Sequence, residues 1–236
     1  MKNKYIIPTA IVLLLTGCLF MGCSKEITKY RELLNNEEII YPGPVSHFKA
    51  FQGNLRIKLQ WHPSPDPSIT KYVIYWNNKT DSVTLDASNR NTLDSVSTLI
   101  SGLGEYVQNF VLYTLDDKGN RSIGQSLSGV RIFGPLYVSS LVNRQLDANR
   151  PPKAEDADTY KLFFAAADTI LNAGTQLTYT GTDNQVHTAD VAAKSDSIFL
   201  DMVKAGTKIA VRTSYVPVHR AIDTFRVTYS DTLVLK

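Results

Sequence analysis

Leu55-Arg56-Ile57-Lys58-Leu59-Gln60-Trp61 and, ten residues on, Lys71-Tyr72-Val73-Ile74-Tyr75-Trp76 decide how this chain folds. In each stretch the apolar residues recur at every second position, with Leu55, Ile57, Leu59 and Trp61 on one face and Tyr72, Ile74 and Trp76 on one face. A period of two is that of a strand buried on one side. Between the two stretches lies His62-Pro63-Ser64-Pro65-Asp66-Pro67, which can continue neither strand nor helix because proline lacks the amide donor. Two half-buried strands separated by a turn imply packed antiparallel sheets, with both tryptophans in the core.

Working outward, the same pattern continues on both sides. Strands are expected at Val45–Phe51, Ser82–Asp86, Ser95–Ile100, Tyr106–Leu115 and Ser122–Phe133. Turn clusters at Gln52-Gly53-Asn54, Asn77-Asn78 and Asp116-Asp117-Lys118-Gly119-Asn120 separate them. Seven short strands with regularly spaced turns predict a Greek-key sandwich.

Gly134-Pro135 marks a boundary, and Leu136 to Arg150 fits a strand or a short helix equally well. After the polar segment Lys153–Asp158 a second β set follows at Tyr160–Ala165, Gln176–Thr180, Val186–Val191, Ser197–Val203, Lys208–Val216 and Thr224–Leu235. The expected fold class is all-β: two tandem β-sandwich domains, the first fibronectin type III- or Ig-like, after a signal peptide and a short tether. The expected boundaries are 1–22 for the signal peptide, 23–43 for the tether, 44–134 for the first sandwich and 135–236 for the second.

The N-terminus is of another kind. Lys2 and Lys4 precede an apolar run from Tyr5 to Phe20 that is too short and too interrupted for a membrane-spanning helix, but suits the core of an export signal. The only two cysteines of the 236 residues end this segment, each after a glycine, as Gly17-Cys18 and Gly22-Cys23. This is the setting of a lipid-acceptor cysteine. Leu15-Thr16-Gly17-Cys18 fits the acceptor pattern better, whereas Cys23 follows the complete apolar run and directly precedes Ser24-Lys25-Glu26. Cys23 is the favoured lipidation site and Cys18 the alternative. Cleavage before Cys23 would leave one cysteine, acylated, so disulfides and thiol catalysis fall away.

Charge excludes a further class of partner. Of 25 Lys+Arg, Lys2 and Lys4 leave with the signal, so 23 remain against 22 Asp+Glu, none of them before residue 23. A near-neutral chain with scattered cations does not present a nucleic-acid groove.

The search for chemistry finds no catalytic constellation and no cofactor motif. His47, His62, His187 and His219 lack the paired spacing of metal ligands. The run Asp116–Asn120 has the acidic look of a calcium loop but lacks its bidentate glutamate, and reads as a turn. Glu105 and Asp116/Asp117 lie toward opposite ends of one expected strand and do not face a common cleft. For a small ligand the best cluster is Tyr75, of opposite parity to the core residues, with Asn77 and Asn78 in the turn after it. An outward aromatic ring beside amides suits the apolar face and hydroxyls of a sugar.

The Trp that closes the second strand, Tyr72-x-Ile74-x-Trp76, Leu103-x-x-Tyr106 and Asp117-x-Gly119-Asn120-x-Ser122 resemble the fibronectin type III family over Val45–Phe133. The resemblance implies that Tyr106 forms the tyrosine corner, its hydroxyl bonded back to the chain. At larger scale, Tyr30-Arg31-Glu32-Leu33 through Tyr41-Pro42-Gly43, Ser139-Ser140-Leu141-Val142-Asn143-Arg144, Arg212-Thr213-Ser214-Tyr215-Val216-Pro217 and Ala221-Ile222-Asp223-Thr224-Phe225 resemble a family of Bacteroidetes lipoproteins of unknown function. That resemblance implies an outer-membrane location, lipid-anchored and surface-exposed, with the periplasmic face as alternative. It also implies a link to nutrient uptake or adhesion. The expected role is a non-catalytic accessory or adhesion module that contacts the membrane through its lipid and an envelope protein as partner. The alternative is direct glycan binding, set second because the carbohydrate-binding-like module of many relatives does not follow here.

Overall fold

A computed structural model describes residues 41–89 and 91–236. The expected export segment, both candidate lipidation cysteines and the tether up to residue 40 lie outside them. Tyr41–Lys236 forms one compact unit.

The strands of the opening stretches form as expected. Arg56–His62 (β2) buries Ile57, Leu59 and Trp61 completely, while the residues between them stay half-buried. It pairs with Ser46–Gln52 (β1) on one side and Val96–Ser101 (β5) on the other. Ile69–Trp76 (β3) pairs with Asp81–Asp86 (β4) and Val107–Asp116 (β6), and β6 with Gln125–Arg131 (β7). One sheet is therefore β1-β2-β5 and the other β4-β3-β6-β7. This is the three-plus-four division of a fibronectin type III sandwich. Between the sheets lies one apolar cluster centred on Ile57, Leu59, Trp61, Tyr72, Ile74, Phe110 and Leu112. Trp61 packs edge-on against Phe48 and Tyr72, at 6.4 and 5.2 Å between ring centroids. Aromatic pairs prefer this geometry because the positive ring edge meets a negative face.

Three details differ from the sequence reading. Trp76, at the end of its strand, is only partly buried and packs on the margin of the core. Tyr106 forms no corner: it precedes β6, is 53% exposed, and its ring lies over Gly104. The inward row of β6 is Gln108, Phe110, Leu112 and Thr114, all buried. Finally, β7 is shorter than the expected Ser122–Phe133, and within it the pairing with β6 shifts register where the Gly129 amide bonds to the Asn109 side chain.

Pro135–Ser139 (α1) settles the ambiguous junction as a single helical turn. Proline opens it without losing a hydrogen bond. Glu105, some thirty residues upstream, accepts hydrogen bonds from the Leu136 and Tyr137 amides, both at 2.6 Å.

The second β set builds two further sheets. Lys153–Ala154 (β8), Tyr160–Phe163 (β9) and Ser197–Leu200 (β12) form one, in the order β12-β9-β8. Asn172–Thr180 (β10), Val186–Val191 (β11) and Lys208–Tyr215 (β13) form the other. The expected last strand is broken into Phe225–Arg226 (β14) and Asp231–Val234 (β15), both paired with β13. The Arg212 guanidinium draws the intervening carbonyls of Val227 (2.7 Å) and Thr228 (3.5 Å) to itself, which bends the chain there. A second apolar cluster of Leu162, Phe164, Leu177, Leu200, Ile209 and Val211 fills this half.

The two halves meet at a joint with no free linker. Phe225 sits 5.1 Å from Tyr137 and 6.4 Å from Phe133, all edge-on. Asn143 and Arg144 enter the second core: Asn143 Oδ1 accepts the Thr213 amide at 2.8 Å, and the Arg144 amide bonds to Thr213 Oγ1 at 2.8 Å. The buried Arg144 guanidinium donates to the carbonyls of Ala165 (2.8 Å) and Ala192 (3.3 Å). Burial disfavours its charge and lowers its pKa.

Candidate functional site

The outward face of β3, β4 and β6 carries the sequence-derived candidate Tyr75. Alternation that turns Tyr72 and Ile74 inward turns Lys71, Val73 and Tyr75 outward. On β6 the outward row is Val111, Tyr113 and Leu115. Antiparallel pairing sets Val73 opposite Tyr113 and Tyr75 opposite Val111. Tyr75 and Tyr113 are thus diagonal neighbours, and their rings meet edge-to-face at 6.0 Å and 78°. Diagonal pairs of this kind lie within reach of aromatic side chains. Val73, opposite Tyr113 in the pairing, is only 6% exposed although it faces outward. With Val111 beside them, the two rings make an apolar floor on this face.

Cations frame that floor. Lys79 Nζ lies 6.0 Å and Arg121 Cζ 5.4 Å from the Tyr113 ring centroid. They come from opposite ends of the sheet, Lys79 from the turn after β3 and Arg121 from the loop after β6. Gly124 makes room for the arrangement: a Cβ there would stand 2.8 Å from Val111 Cγ1 and from Tyr113 Cε1. Neither cation has an ion-pair partner among the described residues, whereas Lys71 stands opposite Asp86 across the strands.

Asn77 and Asn78 lie in the turn directly after β3. Both are exposed in a short 3-10 turn, and Asn77 Nδ2 is bonded to Asp81 within the turn at 3.0 Å. Asn77, Asn78 and Lys79 all have positive φ, at 49°, 52° and 65°. Asparagine tolerates this left-handed region, and lysine does so only at a cost. The turn thus contributes Lys79 to the aromatic pair. Sequence reasoning missed Tyr113, Arg121 and the role of Lys79. The outward parity of Tyr113 is readable, but its meeting with Tyr75 depends on which strands are neighbours.

The other chemistry-bearing groups stay apart. His47 and His62 come together across β1 and β2 with ring centroids 4.9 Å apart, closer than their separation in sequence suggests. No group of three metal-ligating side chains exists among the described residues. Asp116 serves its own turn, accepting from the Lys118 amide at 3.0 Å and the Asn120 amide at 2.8 Å. On the second half, a cleft of about 410 Å³ runs past Gly174, Gln176, Asp190, Ser214 and Arg226. There Arg226 donates to Gln176, which reaches toward Asp190 at 3.5 Å, so these polar groups largely satisfy one another.

Residues 23–225 match the family model DUF4998, a domain of unknown function. No curated protein matches the chain. Among solved structures it is similar to the FN1-FN3 domains of chicken CNTN1, with a TM-score of 0.39 and 11% identity, covering 84% of this chain and 64% of that one. It is also similar to a two fibronectin type III domain segment from chicken tenascin, with a TM-score of 0.34 and 10% identity, covering 81% of this chain and 99% of that one. The chain therefore spans 64% of the length of the first of these.

Proposed function

The chain belongs to the DUF4998 family, and from that premise we propose that it is a non-catalytic protein-interaction module, held at the cell envelope by a lipid on Cys23. The observation that carries this reading is the joint. Asp223, Phe225, Tyr137 and the buried Asn143-Arg144 segment tie two sandwiches into one body, whose outer faces are then held in fixed relation. A protein that holds something gains from such stiffness, because a preformed surface loses little entropy on binding. The export-like apolar run and the two Gly-Cys pairs support the anchor. Its placement at the outer membrane and its link to nutrient uptake or adhesion belong to the same proposal.

Mass spectrometry of the membrane-extracted protein tests the anchor. A diacylglyceryl group on an N-terminal Cys23, with Cys23→Ala leaving the precursor unprocessed, is the expected result. Processing blocked instead by Cys18→Ala would move the anchor. Protease shaving of intact cells distinguishes the outer surface from the periplasmic face. If cross-linking in the native host joins the protein to no envelope protein, the interaction role fails.

A second reading, saccharide binding, is favoured by the Tyr75–Tyr113 pair. Glycan-array screening of the full chain tests it.

A further inference from the structure

We infer that the face built by Tyr75, Tyr113, Lys79 and Arg121 is a binding site for an acidic polysaccharide carrying carboxylates. The inference rests on the saccharide reading of this face and gives it a ligand class.

Three features point the same way. Tyr75 and Tyr113 form an apolar floor, which suits the C–H face of a pyranose ring. Lys79 and Arg121 flank the floor from opposite ends of the sheet, and neither is neutralised by a carboxylate of the described protein. An ammonium and a guanidinium left in this state are open to an outside anion. The guanidinium can take a carboxylate through two parallel hydrogen bonds. In a chain of uronic acid residues carboxylates recur along the backbone, and here two cations, Lys79 and Arg121, stand together at the one ring of Tyr113. The backbone supplies the third feature. Lys79 occupies a left-handed conformation (φ 65°) that glycine would adopt without strain, so the position carries a charged side chain where the turn itself does not need one.

The test uses the full-length protein in detergent and two probes, polygalacturonate and its fully methyl-esterified form. The ester keeps the sugar and removes the charge. Binding is measured by calorimetry at low and at moderate salt, because exposed charge pairs are screened. The acid is expected to bind at least tenfold more tightly than the ester. Lys79→Gln/Arg121→Gln should abolish that preference, while Lys161→Gln on the other half leaves it within twofold. Unfolding midpoints of the variants confirm that each is folded. Equal binding of acid and ester would overturn the acidic ligand and leave the saccharide reading standing. Binding of neither would overturn both. Preference for the acid that survives the double substitution would remove the site from this face.

Discussion

Asp223 and Arg56 are held together across 167 residues of chain, the guanidinium Nε donating to the carboxylate at 2.9 Å. The second carboxylate oxygen takes Arg56 Nη2, and the Asn54 amide completes the set at 2.8 Å. Beside them the Ile222 amide bonds to the Gln52 carbonyl at 2.8 Å. Gly53 is what permits this closeness: a Cβ there would lie only 2.7 Å from Ile222 Cγ1 and would also clash with Asp223 Oδ2. The 52–56 turn and the 222–223 segment therefore fit as two halves of one clasp.

Asp223→Ala leaves three donors without their acceptor. It is expected to lower stability modestly, by about 1 kcal/mol, because water reaches the exposed Asn54 amide and part of the Arg56 guanidinium. Differential scanning calorimetry checks this, and an unchanged melting temperature would refute the role of the clasp.

The same pair sets an acid response. The hydrogen bond from Arg56 holds the Asp223 carboxyl below its ordinary range. Its contribution is therefore complete above the unfolded value of about 3.9 and is lost as pH falls through the lower folded value. Urea titrations between pH 6 and 3 should show the wild type losing more stability than Asp223→Asn; parallel curves would contradict the assignment.

The two tryptophans should differ in the size of their effect. Trp61 is fully buried, and Trp61→Ala should cost about 3–5 kcal/mol. Trp61→Phe should cost far less, because the indole N–H it removes has no acceptor. Trp76→Ala, at the margin, should fall well below Trp61→Ala in urea denaturation.

Asn143→Leu keeps the bulk but strands the Thr213 amide in a fully buried position, for an expected loss of about 1–3 kcal/mol. Amide hydrogen exchange should show the damage concentrated on β13. A uniform loss across both halves would argue against a local role.

Lys79→Gly should relieve a left-handed strain worth about 1 kcal/mol, offset in part by the added freedom of the unfolded chain. The unfolding midpoint should hold or rise, even though the ammonium over Tyr113 is gone. A clear loss of stability would show that the lysine contributes more to the fold than its conformation suggests.

The first sandwich was legible because alternation in Leu55–Trp61 and Lys71–Trp76 reports burial directly. Tyr106 was misread because a short spacing after Leu103 was matched to a family pattern, whereas the inward register of β6 begins at Gln108. The break within Thr224–Leu235 was missed because a side chain, Arg212, takes backbone carbonyls there. The joint was illegible, since Asn143 and Arg144 meet Ala165, Ala192 and Thr213 only after folding. Yet the segments on which the family resemblance rests, Ser139–Arg144, Arg212–Pro217 and Ala221–Phe225, contribute Asn143, Arg144, Thr213, Asp223 and Phe225 to that joint. Those motifs encode the joint between the two halves.

A seam without slack turns the molecule into a ruler. A ligand that touched both halves would meet them at one set spacing. Once the first contact is made, the second requires no conformational search, so its effective concentration is fixed by the seam. Repeating polymers whose period matches that spacing would gain avidity, and those out of step would gain none.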